Sequence, residues 1–283
     1  MLRGLLPHLR TPRDGVGPLH VLAGAPVTTG SGDQLLAATL VGPTGEDPSR
    51  IDDGIWDAMG GVSPARTPAQ LSNVLPPTAQ LYERAWRTRS LSLLSGRPFP
   101  LADELAELDE AVGDVRGSVV VDVGTSEGLY ARHLAGRGAL VLAVDHSRPF
   151  LRRSILRASR DGVAIAPARA LAQRLPLLDH AADAVVIGGS LNELGDLDAA
   201  MAEAARVLRP DGVLFLVSLV AAQSRVGRAA QRALRVAGIV FPTPEATGSL
   251  LERHGLVVTG TRQERIVLRT TARPVSSRAH VRS

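Results

Sequence analysis

The sequence predicts an α/β fold built on a doubly wound, mostly parallel sheet. Three observations carry this. The stretch SVVVDVGTSEG, from Ser118 to Gly128, runs three valines into an acid and a glycine-bracketed turn, and LYARHLA continues with helical spacing. From Ser118 onward apolar runs and amphipathic stretches alternate, which makes parallel strands joined by crossover helices. Near the end, GLVVTGTRQERIVLRTT reads as two strands with a tight connection, so an antiparallel edge strand closes the sheet.

Residues 1–62 differ in character from the rest of the chain. LHVLAGAPV, QLLAATLVG and DDGIWDAMGG are short apolar segments parted by turn-rich stretches, as in a small β unit, with four arginines against seven acidic residues over positions 1–60. Residues 63–112 read as a helical linker or lid. Leu81, Tyr82, Ala85 and Trp86 form one stripe there, and LADELAELDEAVG adds an acidic amphipathic helix. The main domain spans 113–271: strand VVVDV, a helix, strand ALVLAVD, the helix PFLRRSILRASR, a short strand VAIAPA, strand ADAVVIGG, the helix LDAAMAEAARVL and strand GVLFLVSL. Residues 272–283 are polar and basic and read as a disordered tail.

Composition excludes several classes. Cysteine is absent, which removes disulfides, thiolate metal sites and a cysteine nucleophile. All 32 basic residues are arginine, yet net charge is only +4 and aromatics are 3%, so neither charge clusters nor stacking residues favour a nucleic-acid partner. No apolar run approaches the roughly 20 residues that span a bilayer, and the first residues break their apolar run at Pro7, His8 and Arg10, short of a signal-peptide core. A cytoplasmic protein is the expectation.

Three chemistries use a turn like that of Asp122–Gly128. A dinucleotide fold wants G-x-G-x-x-G, but Ser126 stands at the second glycine. A hydrolase elbow wants G-x-S-x-G, which Gly124–Gly128 satisfies with Ser126 as nucleophile. That reading needs an acid and then a histidine at later strand ends, and the late candidates are Asp211 and His254. Asp211 precedes its strand and so lies at the wrong edge of the sheet. The third chemistry, methyl transfer from S-adenosyl-L-methionine (SAM), wants an acid closing one strand, a Gly-rich turn, and a second acid ending the next strand. Asp122 and Asp145, 23 positions apart, supply both, and a carboxylate at the tip of the second strand suits ribose hydroxyls.

VVVDVGTSEGLYARHLA, AVDHS, LPLLDHAADAVV and ARVLRPDGVLFLV resemble, in order and spacing, the motifs of class I SAM-dependent methyltransferases. The resemblance is strongest to the quinone-biosynthesis-like group, the methyltransferase type 11 domain, and covers roughly 111–271. It implies a Rossmann-like sheet of seven strands. PARTPAQ with LYERAWR also resembles the linker of relatives that carry an N-terminal zinc ribbon. Where those have a CPxC pair this chain has Ala25-Pro26-Val27-Thr28, and the second pair would fall near Gly42 and Gly45, so no tetrahedral zinc site remains.

The resemblance implies that Asp122 positions the methionine ammonium and that Gly124, Ser126 and Gly128 face the same moiety. Asp145 binds the ribose, His146 flanks the adenine, and the backbone near Gly188 closes the far side. Ser126 replaces a glycine, acceptable if it keeps φ below zero or the loop shifts. Leu171 stands where relatives place an aspartate against the adenine amino group. For a base toward the acceptor, Asn192 and Glu193 follow the fourth strand and Tyr130 lies in the first turn after the loop, while His133 reads as a surface or core histidine. The acceptor expected is small, lipophilic or phenolic, quinone-like. RNA methylation and a non-catalytic binding module are the competing readings.

One stretch stands outside this scheme. In AAQSRVGRAAQRALRVAG, from Ala221 to Gly238, helical spacing puts Arg225, Arg228, Arg232 and Arg235 within about 80° of one another, with Val226, Ala230, Ala233, Leu234 and Ala237 opposite. A solvated basic face explains that pattern. A reversible, electrostatic contact with an anionic membrane leaflet is the functional expectation.

Overall fold

The computed structural model describes residues 2–13, 15, 17–29, 32–45, 47–62, 67–73 and 101–275. The aromatic stripe of Leu81 to Trp86 lies outside the described residues. The N-terminal region contributes β1 (His20–Ala23), β2 (Val27–Thr29), β3 (Gly32–Gln34), β4 (Ala38–Val41), β5 (Ser49–Asp52) and β6 (Ile55–Asp57). Helices α1 (Pro68–Asn73) and α2 (Leu101–Val112) precede the alternating part. That part runs β7 (Val119–Val123), α3 (Leu129–Gly136), β8 (Leu140–Asp145), α4 (Arg148–Arg160), β9 (Ala166–Arg169), β10 (Ala182–Gly188), α5 (Leu197–Val207) and β11 (Leu208–Leu219). It ends with α6 (Arg225–Val236), α7 (Pro244–Arg253), β12 (Leu256–Glu264) and β13 (Val267–Pro274).

The predicted seven strands are present in the order β9-β8-β7-β10-β11-β13-β12, parallel except where β13 pairs antiparallel with β11 and β12. Alternation sends successive residues of β7 to opposite faces. Val119, Val121 and Val123 belong to one core cluster with Met201 and Ala204 of α5 and Leu251 of α7, while Val120 belongs to another with Leu108 of α2, Leu134 of α3 and Ala158 of α4. Helices on both faces leave the strands buried twice over, which is why VVVDV and LVLAVD are almost continuously apolar.

The sheet does not stop at seven strands. β6 pairs parallel with β9, and β5, β4 and β1 extend the edge to eleven. Strands β1, β4, β5 and β6 therefore continue the main sheet, while β2 and β3 pair antiparallel in a two-stranded sheet of their own. Without thiolates the region is held by apolar burial: Leu40, Ile51, Ile55 and Trp56 are buried, and Trp56 Nε1 donates to Ser49 Oγ at 2.9 Å. Leu5 and Leu9, from the 3-10 turn Arg3–His8 and its cap, close the same core. The C-terminal end also differs from expectation. Pairing of β13 with β12 continues to Pro274, so the polar tail contributes Ala272, Arg273 and Pro274 to the sheet, and 276–283 lie outside the described residues. No helix among the described residues is long and apolar enough to cross a membrane.

Candidate active site

The C-terminal tips of β7, β8 and β10 surround a cleft, the place where open α/β sheets bind ligands. It is lined by Gly124, Ser126, Asp145, His146, Phe150, Ala170, Leu171, Ala172, Gln173, Gly189, Ser190, Glu193 and Gln70, among others.

The loop after β7 is anchored from below. Gly124 N and Thr125 N donate to Val144 O at 2.8 and 3.0 Å, fixing the loop to the end of β8. Asp122 is buried; its Oδ2 accepts from Thr125 Oγ1 at 2.5 Å and from Ala131 N at 3.1 Å. It thus satisfies a donor in the first turn of α3 that Gly128, the N-cap, has no side chain to meet. The resemblance aimed Asp122 at the ligand, whereas here it braces the loop and is not among the lining residues. Gly128 sits at φ 77° against Ser154, also off the cleft. Gly124, at φ 67°, leaves room for Ser190: a Cβ there would fall 2.5 Å from Ser190 Cβ. Ser190 Oγ in turn donates to Val123 O at 2.9 Å, tying the ends of β7 and β10 together.

Ser126 adopts φ 50°, so it occupies the left-handed region that glycine would tolerate at no cost. Of the two ways a serine could be accommodated here, a negative φ is not the one adopted. What keeps the residue there is its backbone N–H, which donates to Asp145 Oδ2 at 2.9 Å.

Asp145 is the centre of the cleft. Its Oδ1 accepts from Ser147 N at 2.8 Å, so each oxygen holds one backbone N–H and keeps further acceptor capacity. Burial pushes its pKa up; the His146 charge, with Nδ1 3.7 Å from Oδ1, and backbone N–H groups pull the other way. Ser147, which sequence reading passed over, caps α4 through Phe150 N at 3.4 Å while orienting Asp145. Leu171 lines the cleft beside Ala170 and Ala172.

Gly188 serves another purpose than expected. A Cβ there would meet the Tyr130 ring at 2.7 Å, and the cleft is bordered instead by Gly189, at φ 90°, where a Cβ would meet nothing within 4 Å. Tyr130 itself is buried, its ring 6.2 Å from that of Phe215, and its hydroxyl donates to the buried Glu104 of α2 at 2.5 Å. It does not reach the cleft. Nor does Asn192: its Nδ2 donates to Leu219 O and Val240 O at 2.7 and 2.5 Å and its Oδ1 accepts from Leu219 N at 2.8 Å, which uses the amide as a structural peg. Of the three candidate catalytic residues only Glu193 borders the cleft. His133 meets Asp109 at 2.8 Å, is half-buried and is not among the residues lining the cleft.

Three residues that sequence reading missed shape the site. Glu127 is buried and meets Arg153 at 2.5 Å and Arg157 at 2.9 Å, stapling the loop to α4. Gln70 and Thr67 form a reciprocal capping box at the start of α1, and Gln70 Nε2 also donates to Glu193 O at 3.0 Å. The Gln70 carbonyl faces His146 Nε2 at 3.2 Å, so α1 spans the cleft between His146 and Glu193. The T-x-x-Q spacing was visible; its partner 123 positions away was not. Gln173 Nε2 donates to Leu194 O at 2.5 Å, one residue beyond Glu193.

Residues 121–216 match the family model described as a methyltransferase domain. Over 145 residues the chain is 34% identical to an uncharacterized chloroplastic methyltransferase of Arabidopsis thaliana, covering 49% of this chain and 40% of that protein. Over 109 residues it is 37% identical to a demethylmenaquinone methyltransferase of Thermobifida fusca, covering 38% and 45%. The matched segments thus span less than half the length of these curated relatives. Among solved structures, a SAM-dependent methyltransferase from Aquifex aeolicus superposes with a TM-score of 0.51 at 20% identity, over 70% of this chain and 97% of that one. The [4+2]-cyclase SpnF gives 0.57 at 19% identity, over 76% and 98%. Likeness at that identity concerns the fold alone. Motif order and sheet topology agree with the methyltransferase-domain match over residues 121–216.

Proposed function

We propose that this chain binds SAM in the cleft and transfers its methyl group to a small, lipophilic, phenol- or quinol-like acceptor. The observation that carries the reading is Asp145: a buried carboxylate at the tip of β8 that borders the cleft, with both oxygens oriented by backbone N–H groups. The residues present fit the cofactor. Asp145 retains lone pairs for two ribose hydroxyls, Leu171, Ala170 and Phe150 supply an apolar slot for adenine, and Gly189 leaves open backbone beside the cleft where a side chain would intrude.

When bound, the sulfonium supplies an electrophilic methyl group for in-line displacement. The chain's own contribution is alignment and exclusion of water. The braced loop and Ser190 would hold the amino-acid end, His146 and Leu171 would flank the adenine, and α1 would narrow the mouth. Glu193, the one candidate base beside the cleft, would accept the acceptor's hydroxyl proton. The Thermobifida fusca relative, a demethylmenaquinone methyltransferase, supports a quinol-like acceptor. Calorimetric titration with SAM, followed by transfer of labelled methyl to a panel of phenols and quinols, tests the proposal. Absence of SAM binding at millimolar concentration would refute it, and binding without transfer to any panel member would favour the non-catalytic module.

A further inference from the structure

Helix α6 leaves the cleft edge of the sheet just after β11, and one side chain seats it. Gln231, the buried residue of α6, accepts from Ala222 N at 2.8 Å through Oε1 and donates to Val220 O at 2.9 Å through Nε2. At 100° per residue, Val226, Ala229, Ala233 and Val236 lie within about 40° of the direction pointing straight away from Gln231. Val226 and Val236 are 82% and 84% exposed. Arg225, Arg228, Arg232 and Arg235 run along one flank of that ridge, all exposed. Among the described residues none of the four meets a carboxylate within ion-pair distance. The apolar residues that helical spacing set opposite the arginines are thus not packed inward; valines and arginines share the outer surface.

We propose that α6 is an interfacial helix that lies flat on an anionic lipid surface, its Val226–Val236 ridge in the headgroup boundary and its four arginines against lipid phosphates. Charge complementarity selects the occupant. A second copy of this chain would bring like charges together, and a polynucleotide would satisfy the arginines while leaving both valines in water. A bilayer surface accommodates both sets at once, because apolar seams flanked by arginine match the boundary between acyl chains and headgroups. Two outward valines thereby add an apolar component to the electrostatic contact that the arginine spacing alone implies.

The placement bears on the cleft. Ala237 O, at the end of α6, accepts from Ala69 N at 3.0 Å, and Gly238 stands against Thr67, the cap of α1. A surface under α6 is therefore one short helix away from Glu193 and His146, and delivery of a lipophilic acceptor along that route rests on the methyl-transfer reading; the docking itself does not.

Cosedimentation of the full chain with vesicles of phosphatidylcholine alone, or of phosphatidylcholine mixed with phosphatidylglycerol, tests the docking without any cofactor. Binding is expected to the mixed vesicles at low salt, to be weak to the neutral ones, and to fall at high salt. Each arginine adds about fivefold, so R225Q/R228Q/R232Q/R235Q should lower partitioning at least about 100-fold. V226S/V236S should lower it at least about threefold. SAM titration of both variants, unchanged from the parent, confirms that they fold. Equal binding to both vesicle types, undiminished binding by the four-arginine variant, no effect of V226S/V236S, or tight binding to polyuridylate in place of vesicles would each overturn the proposal.

Discussion

Replacing Asp145 by asparagine separates the cofactor reading from every other use of the fold. The carboxylate presents about four lone-pair sites, of which Ser126 N and Ser147 N take two. The remaining two can accept ribose hydroxyls in charge-assisted bonds. An amide keeps one acceptor and turns a donor toward one of the two N–H groups, so it loses part of the ligand contact and disturbs Ser126 as well. The expected loss in SAM affinity is about 1.5–3 kcal/mol, or roughly 10- to 150-fold. The pH dependence provides an independent readout. Burial raises the Asp145 pKa in the free protein, and hydroxyl donors favour the ionised form. Affinity should therefore be full above that raised pKa and fall by up to about tenfold per pH unit below it. The same shift acts on folding with its own sign: the free native state binds the proton more tightly than the unfolded chain, so stability declines as pH rises from the ordinary carboxylate value through the raised one. Calorimetric titration across acidic and neutral pH, with parent and Asp145→Asn, measures both effects. A variant that binds within about twofold of the parent, or that keeps the parent's pH slope, would refute the reasoning.

Glu127→Gln removes the staple between the loop and α4. Breaking a buried pair costs about 3–5 kcal/mol, but Arg153 and Arg157 are 29% and 27% exposed and can turn to water, so about 1–3 kcal/mol is expected in urea denaturation. Gly124→Ala would need a left-handed alanine and would overlap Ser190, for about 2–4 kcal/mol of destabilisation; a near-neutral variant would mean that the loop is looser than the structure shows. Tyr130→Phe leaves the buried Glu104 without that hydroxyl and should cost about 1–3 kcal/mol in stability while methyl transfer stays within about threefold. A hundredfold loss of turnover with normal stability would return Tyr130 to the chemistry.

The alternation after Ser118 and the pair Asp122 and Asp145 were readable because each depends on local pattern: strand ends, turn glycines and the length of one helix plus one strand. What the pattern does not carry is the direction of a side chain relative to a cleft made by distant segments. Tyr130 and Asn192 occupy the expected positions in the chain, yet Glu104 claims one and the carbonyls of Leu219 and Val240 claim the other. Ser126 shows the same limit at the backbone, since the sign of its φ is set by a hydrogen bond to Asp145, 19 positions away. Glu127 was read only as part of a turn because its two arginines belong to the next helix. No local feature told that β6 would find β9.

That last pairing sets an order of events during synthesis. Trp56 is buried against a strand whose Ala168 pairs with it, and Asp57 meets Arg169, 112 positions later, at 3.2 Å. At roughly 5–20 residues per second a ribosome needs on the order of 6 to 22 seconds to make the intervening chain. Through that interval β4, β5 and β6 have a hydrophobic face with no strand to receive it, so a holding chaperone would find its clearest substrate there. A permuted chain that places the first sixty residues after the last strand should shorten the wait and raise soluble yield, provided the joining segment reaches from Pro274 to β1.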